Sequence, residues 1–196
     1  MFPNSDLIDL EPPSALPAVE RDTEELGFDM PSVRETGALL RYLATLKPGS
    51  KILELGTGTG LGTCWLLDGM DSDSKLVTVD NDEKVLTVAK RHFGADSRVT
   101  ILHEDAVSYL ERAPQHEFDL IFADAWPGKF SHLEQALSLL APDGHYVVDD
   151  LLPQSNWPDN HASRVPPFVE DLRSRADLVV EYQDWASGML IAQKVK

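Results

Sequence analysis

ILELGTGTGLG, residues 52–62, decides how this chain is read. A short apolar run carrying one acid, Glu54, breaks into four glycines at alternate positions, 56, 58, 60 and 62. Loops of this kind follow strands and open helices where a backbone has to come close to a ligand. A dinucleotide pyrophosphate asks for G-x-G-x-x-G. Counting from Gly56 and Gly58, the third place falls on Leu61; counting from Gly58 and Gly60, it falls on Thr63. The strict fingerprint is therefore absent, and E-x-G-x-G-x-G stands in its place. The plain alternative is a tight strand-to-helix turn that holds nothing.

The pattern on either side predicts alternating strands and helices. Upstream, Val33, Thr36, Leu39, Leu40, Leu43 and Leu46 recur at helical spacing and Pro48-Gly49 stops the run. Residues 1–31, rich in Pro, Asp and Glu, read as an extended or partly helical arm, and 32–196 as a single domain. Downstream, strands are expected at Ile52–Leu55, Leu76–Asp80, Arg98–Leu102, Phe118–Ala123 and His145–Asp149. Helices are expected to about Asp68 and over Asp82–Phe93, Asp105–Arg112, Ser131–Leu140 and Pro167–Arg175. Leu178–Gln183 and Met189–Val195 flank a turn at Gly188 and form a candidate antiparallel hairpin. Five short strands separated by helices imply an α/β fold: a doubly wound, mostly parallel sheet with helices on both faces and an antiparallel C-terminal edge.

Bulk properties exclude several classes. The formal net charge of −16 disfavours nucleic acid as a partner. No apolar stretch approaches the roughly 18 residues of a membrane span. The N-terminus carries acids and prolines, so no secretory leader is expected. The single cysteine, Cys64, fits a cytoplasmic location.

In open α/β sheets ligands bind beyond the carboxyl ends of the strands. Asp80 ends the second strand about 20 residues past the loop, where an acid can accept hydrogen bonds from ribose hydroxyls; a helix N-cap, also open to Asn81 or Asp82, is the other reading. Asp105, after the third strand, is a candidate helix N-cap. Asp124 ends the fourth strand and Asp149-Asp150 the fifth. Three carboxylates on one rim repel one another, and a hard divalent cation, Mg²⁺, Mn²⁺ or Ca²⁺, would resolve that. The alternative is that some of them cap helices or face solvent.

The loop together with FDLIFADAWPGKF (118–130) and HYVVDDLL (145–152) resembles the catechol O-methyltransferase-like branch of the class I S-adenosylmethionine-dependent methyltransferases, from about Met30 to the C-terminus. The resemblance implies a Rossmann-like fold and S-adenosylmethionine as cofactor. It implies cofactor contacts from Met30, Ser32, Glu54, Gly56, Thr57, Gly58, Gly60, Thr63, Asp80, Asn81, Asp105, Ala106, Asp124 and Trp126. It also implies metal ligation by Asp124, Asp149 and Asp150, with Asp150 where the family has Asn. One position departs. The family lysine that serves as general base lies three residues after the first metal-ligand Asp, and here that residue is Pro127. Lys129, two residues further on, and His161, in the Gln154–Val165 loop, are the substitute candidates beside Asp124. The expected reaction is methyl transfer to an oxygen of a small hydroxylated, catechol-like acceptor, with the arm and the 154–165 loop excluding water. A metal-independent methyltransferase, an inactive cofactor-binding relative and a nicotinamide oxidoreductase are the rivals. An apolar arm face or an edge strand leaves room for a homodimer.

Overall fold

The computed structural model describes residues 11–195; residues 1–10 of the expected arm lie outside them. Seven strands form one sheet: β1 (Lys51–Leu55), β2 (Lys75–Asp80), β3 (Val99–His103), β4 (Phe118–Ala123), β5 (Leu140–Val148), β6 (Leu178–Gln183) and β7 (Met189–Lys194). Their order is β3-β2-β1-β4-β5-β7-β6. The first five are parallel, and β7 runs antiparallel to both β5 and β6. The chain winds outward from β1 to β3, then returns to the centre and winds the other way from β4. The strand order therefore reverses between β1 and β4, the crevice where open sheets bind ligands.

Alternation along the strands feeds two cores. Ile52, Leu120 and Phe122 point to one face, covered by α1 (Leu16–Leu26), α2 (Arg34–Thr45), α3 (Leu61–Gly69) and α4 (Glu83–Phe93). Leu53, Leu55, Ile121 and Ala123 point to the other, covered by α5 (Ala106–Arg112), α6 (Leu133–Leu139) and α7 (His161–Ser174). Burial on both faces is what short, near-continuous apolar strands require. Part of the expected arm is a helix: Leu16 and Val19 of α1 are fully buried in the first core.

Two boundaries moved. β5 starts at Leu140, not His145, because Pro142-Asp143-Gly144 makes an irregularity inside the strand; its register to β4 shifts between Phe118 and Leu120, and Asp143 takes φ 62°. α7 starts at His161, six residues before the expected Pro167. Asn160 turns the chain at φ 69°, and Pro166 and Pro167 lie inside the helix, where neither has an N–H to give to the preceding turn.

Candidate active site

The glycine loop is held at the switch point by its own backbone. Gly56 N donates to Val79 O (2.9 Å) and Asp124 N to Leu55 O (2.8 Å), tying the ends of β1, β2 and β4 together. Gly56, Gly58 and Gly60 all have positive φ (97°, 53° and 95°). At Gly56 a side chain is excluded twice, since a Cβ would also lie 2.8 Å from Asp124 O. Asp80 Oδ2 accepts from Gly58 N (2.8 Å) and its Oδ1 from Asp82 N (2.9 Å), so this acid fixes the loop as well as facing the crevice. Asp82, not Asp80, caps α4 through Lys84 N (2.8 Å).

One cavity of about 380 Å³ opens over this loop. Gly56, Thr57, Gly58, Asp80 and Asn81 line it, as do Met30 and Ser32 from the segment before α2. Asp124, Trp126, Lys129, Asp150 and His161 line it too, so the glycine loop and the acidic cluster share one space. Trp126 meets Phe130 edge-on at 6.0 Å, and the Arg164 guanidinium lies 4.7 Å over its ring.

The acidic cluster contains a buried lysine. Trp126 O accepts from the amides of Lys129 (3.1 Å), Phe130 (2.9 Å) and Ser131 (3.1 Å), which curls the chain back after β4. Gly128 permits the curl at φ 90°, and its carbonyl accepts from the buried Tyr146 hydroxyl. Lys129 is thereby turned inward and is only 3% exposed. Its Nζ donates to Asp149 O (2.5 Å); burial lowers its pKa, and the charges of Asp124, Asp150 and Asp149 oppose that only in part. Burial is the main cause that raises the carboxyls of Asp124, Asp149 and Asp150 above the ordinary range. For Asp124 and Asp149, repulsion from neighbouring acids adds to it; for Asp124 and Asp150, Lys129 opposes it.

The carboxylates that the resemblance implies as ligands of a divalent cation are not equally free. Such an ion needs several carboxylate oxygens free on one side. Asp149 has none to spare: Oδ2 accepts from Thr36 Oγ1 (2.8 Å), and Oδ1 from Ser187 Oγ and from Asp150 N (2.7 Å). Asp124 Oδ2 accepts from Ser32 Oγ (3.2 Å). Among the described residues no group of three His, Cys, Asp or Glu is placed to hold a metal ion. Metal ligation by the expected set Asp124, Asp149 and Asp150 is not shown by this arrangement. The three acids do meet on one rim, where two buried hydroxyls, of Thr36 and Ser187, bond the Asp149 carboxylate.

Other expected residues are placed differently. Glu54 does not face the cavity. It lies beneath the loop, 1% exposed, its Oε2 accepting from Thr63 and from Thr78 (2.5 Å), and burial pushes its carboxyl up to about 7. Thr63 is spent on that bond. Gly60 packs against Ala89 and Phe93 of α4. Asp105 caps α5 through Val107 N (2.9 Å) and Ser108 N (3.2 Å), and Ala106 is buried beside it; neither lines the cavity. His161 is not in a loop but opens α7. It stacks on Trp157 at 4.3 Å, its Nε2 donates to Asp150 O (3.0 Å), and Nδ1 is covered and unpartnered. As placed, it supports the backbone of Asp150, which sits at φ 59°, and presents no free nitrogen to an acceptor.

Sequence reasoning missed Phe28, which walls Gly58, and the pair Thr36 and Ser187. Thr36 was legible only as a helix-face position; its full burial on an apolar stripe is the signal of a buried polar partner.

A doubly wound sheet with a bare glycine loop and a strand-end acid at its reversal point defines a nucleoside-binding class of open α/β protein. The family model described as a methyltransferase domain matches residues 53–151. A Mycobacteroides abscessus protein named "Putative O-methyltransferase" is 34% identical over 156 residues, 77% of this chain and 72% of its own length. A Mycobacterium avium protein of the same name is 37% identical over 117 residues, 57% of this chain and 53% of its own. The chain belongs to this methyltransferase family. It spans about half the length of several curated relatives it matches. Among solved structures, the O-methyltransferase TomG from Streptomyces achromogenes, involved in tomaymycin synthesis and in complex with S-adenosylmethionine, has a TM-score of 0.80 at 25% identity, covering 97% of this chain and 92% of its own.

Proposed function

We propose that the protein transfers the methyl group of S-adenosylmethionine to an oxygen of a small, hydroxylated, catechol-like acceptor. The observation that carries this is the shared cavity lined both by Gly58 and Asp80 and by Asp124, Lys129 and Asp150. The relatives named as O-methyltransferases, and TomG with its bound S-adenosylmethionine, support the same reading.

Methyl transfer is an in-line displacement. The acceptor oxygen forms the new bond to the methyl carbon while the carbon–sulfur pair leaves with sulfur. The protein's share is to hold the nucleophile close and aligned, and to keep it ionised. Bare glycine backbone and Asp80 suit a ribose and an amino-acid tail. Trp126 and Trp157 give the acceptor flat walls.

Calorimetric titration of S-adenosylmethionine and S-adenosylhomocysteine tests this. The expected Kd is about 1–100 μM for the unaltered chain. Gly58→Val pushes a branched side chain toward Phe28, whose ring already lies 3.3 Å from a Cβ at that position, and Asp80→Ala frees the loop. Each should weaken binding at least about tenfold, or about 1.4 kcal/mol. No heat from either ligand, or two variants that bind as well as the parent, would sink the proposal.

A further inference from the structure

We propose that Arg164 selects acceptors that carry an anionic group: the hydroxylated ring lies in the cavity, and a carboxylate at its far end is held by the Arg164 guanidinium at the mouth. The inference names the acceptor's class, so it deepens the methyltransferase reading above and rests on it.

Three observations converge. First, the guanidinium stands at the edge of the cavity. Arg164, the fourth residue of α7, is exposed and lies 4.7 Å over the ring of Trp126. Trp126 walls the cavity and is itself 36% exposed, which puts this pair at the opening. Second, Arg164 is left without a carboxylate in a chain that has 33 Asp and Glu to 17 Lys and Arg. The surface hollow beside it holds two acids, Glu134 and Asp171. Both are taken by Arg175, which donates to Glu134 Oε2 (3.1 Å) and to Asp171 Oδ2 (2.9 Å). Among the described residues no carboxylate pairs with Arg164, whose contact is the Trp126 ring. A guanidinium over an aromatic face keeps its fork of N–H donors for a bidentate anion.

Third, charge divides the site. Carboxyl groups of Asp80, Asp82, Asp124 and Asp150 line the cavity, against Lys129. An anionic group is disfavoured among them and favoured at Arg164. An acceptor with one such group therefore has a single orientation, hydroxyls toward the strand ends and anion outward past Trp126. A fixed orientation is what an in-line displacement needs from the protein. Arg164 touches no reacting atom; it determines which acceptors are held, and which way round.

The test uses the full chain loaded with S-adenosylhomocysteine, with Mg²⁺ present throughout, and two catechols of one length. Dihydrocaffeate ends in a carboxylate and its primary amide does not. Calorimetric titration should give the acid a Kd at least about fivefold below that of the amide at about 50 mM NaCl. That advantage should fall below about twofold at about 500 mM NaCl, as an exposed ion pair requires. In Arg164→Gln, which keeps a planar polar end without the charge, the advantage should be below about twofold at low salt as well. The thermal midpoint of this variant should lie within about 2 °C of the parent, which reports that it folds. Acid and amide binding equally well, a preference that salt does not weaken, or a preference kept in Arg164→Gln each overturns the inference. Should Arg164→Gln fail to fold, the two catechols and the salt series on the parent chain still decide it. S-adenosylhomocysteine bound with neither catechol binding overturns the inference and leaves the cofactor reading standing. Failure of S-adenosylhomocysteine to bind the parent chain defeats the methyltransferase reading itself, and the inference with it.

Discussion

Glutamine in place of Glu54 should make the protein less sensitive to alkaline pH, by an amount the structure allows one to work out. Glu54 lies beneath the glycine loop, 1% exposed, and its carboxyl is pushed from 4.5 up to about 7, first by burial and lastly by the charge of Asp80; the Thr63 and Thr78 hydroxyls act in the opposite direction. The folded-state value is above the unfolded one. The stability tied to the protonated carboxyl is therefore fully present below 4.5 and is lost as pH rises through about 7. At ~1.36 kcal/mol per pH unit the whole gap corresponds to about 3 kcal/mol, of which about 2.5 falls between about pH 5 and about pH 8. In Glu54→Gln the amide oxygen can still accept both threonine hydroxyls. The amide nitrogen takes the place of Oε1, which has no partner, and adds a pH-independent cost of about 1–3 kcal/mol. The readout is thus a difference of differences: the change in stability from about pH 5 to about pH 8, parent against Glu54→Gln. Asp124, Asp149 and Asp150 carry raised carboxyls of the same sign, but they are common to both proteins and cancel. Urea unfolding of the ligand-free chains should show the parent losing about 1 M more in midpoint than the variant over that range, for a slope of about 2–3 kcal/mol/M. Parallel pH profiles would refute the reasoning: Glu54 would then be ionised at no cost in the fold.

Two further perturbations probe how the site is held. Tyr146→Phe removes the hydroxyl that donates to Gly128 O and should cost about 1–2 kcal/mol in urea unfolding, since a buried carbonyl is left without its donor; an unchanged midpoint would mean that water replaces it. Arg98 donates to Leu67 O (3.0 Å) and Met70 O (2.8 Å) at the end of α3 while pairing with Asp96, so Arg98→Met should lower stability by about 2 kcal/mol; thermal unfolding unaffected by the change would show that the end of α3 does not need this cation.

The fold was legible because period and punctuation agreed along most of the chain. Phe118–Ala123 and Leu178–Gln183 are strands over the expected residues, and the other parallel strands before β5 lie within a residue or two. The misses share one physical cause. Proline fixes φ and glycine frees it, and dihedral preference alone does not say whether a segment leaves its element. Pro142-Asp143-Gly144 reads as a stop, yet β4 continues to pair on both sides of it and the sheet absorbs it as an irregularity. Pro166 and Pro167 read as a start, yet the helix already runs at His161, because Asn160 supplies the turn.

The site was legible to a different depth. Position after a strand located Gly58, Asp80, Asp124 and Asp150 on one cavity, since topology alone brings strand ends together. What each carboxylate does depends on its neighbours in space, and those come from Thr36 on α2, Ser187 before β7 and Lys129 after β4, at separations no local pattern spans. Lys129 makes the point most sharply. Counted along the chain it is two residues too far from Asp124 to stand where the family lysine does. The turn on Trp126 O removes that surplus and aims the side chain back at the acids. The same Pro127-Gly128 pair that made its direction unreadable is what builds the turn. Burial raises the carboxyls of all three acids and lowers the pKa of Lys129, so what these groups do follows from the space they share and not from their places along the chain.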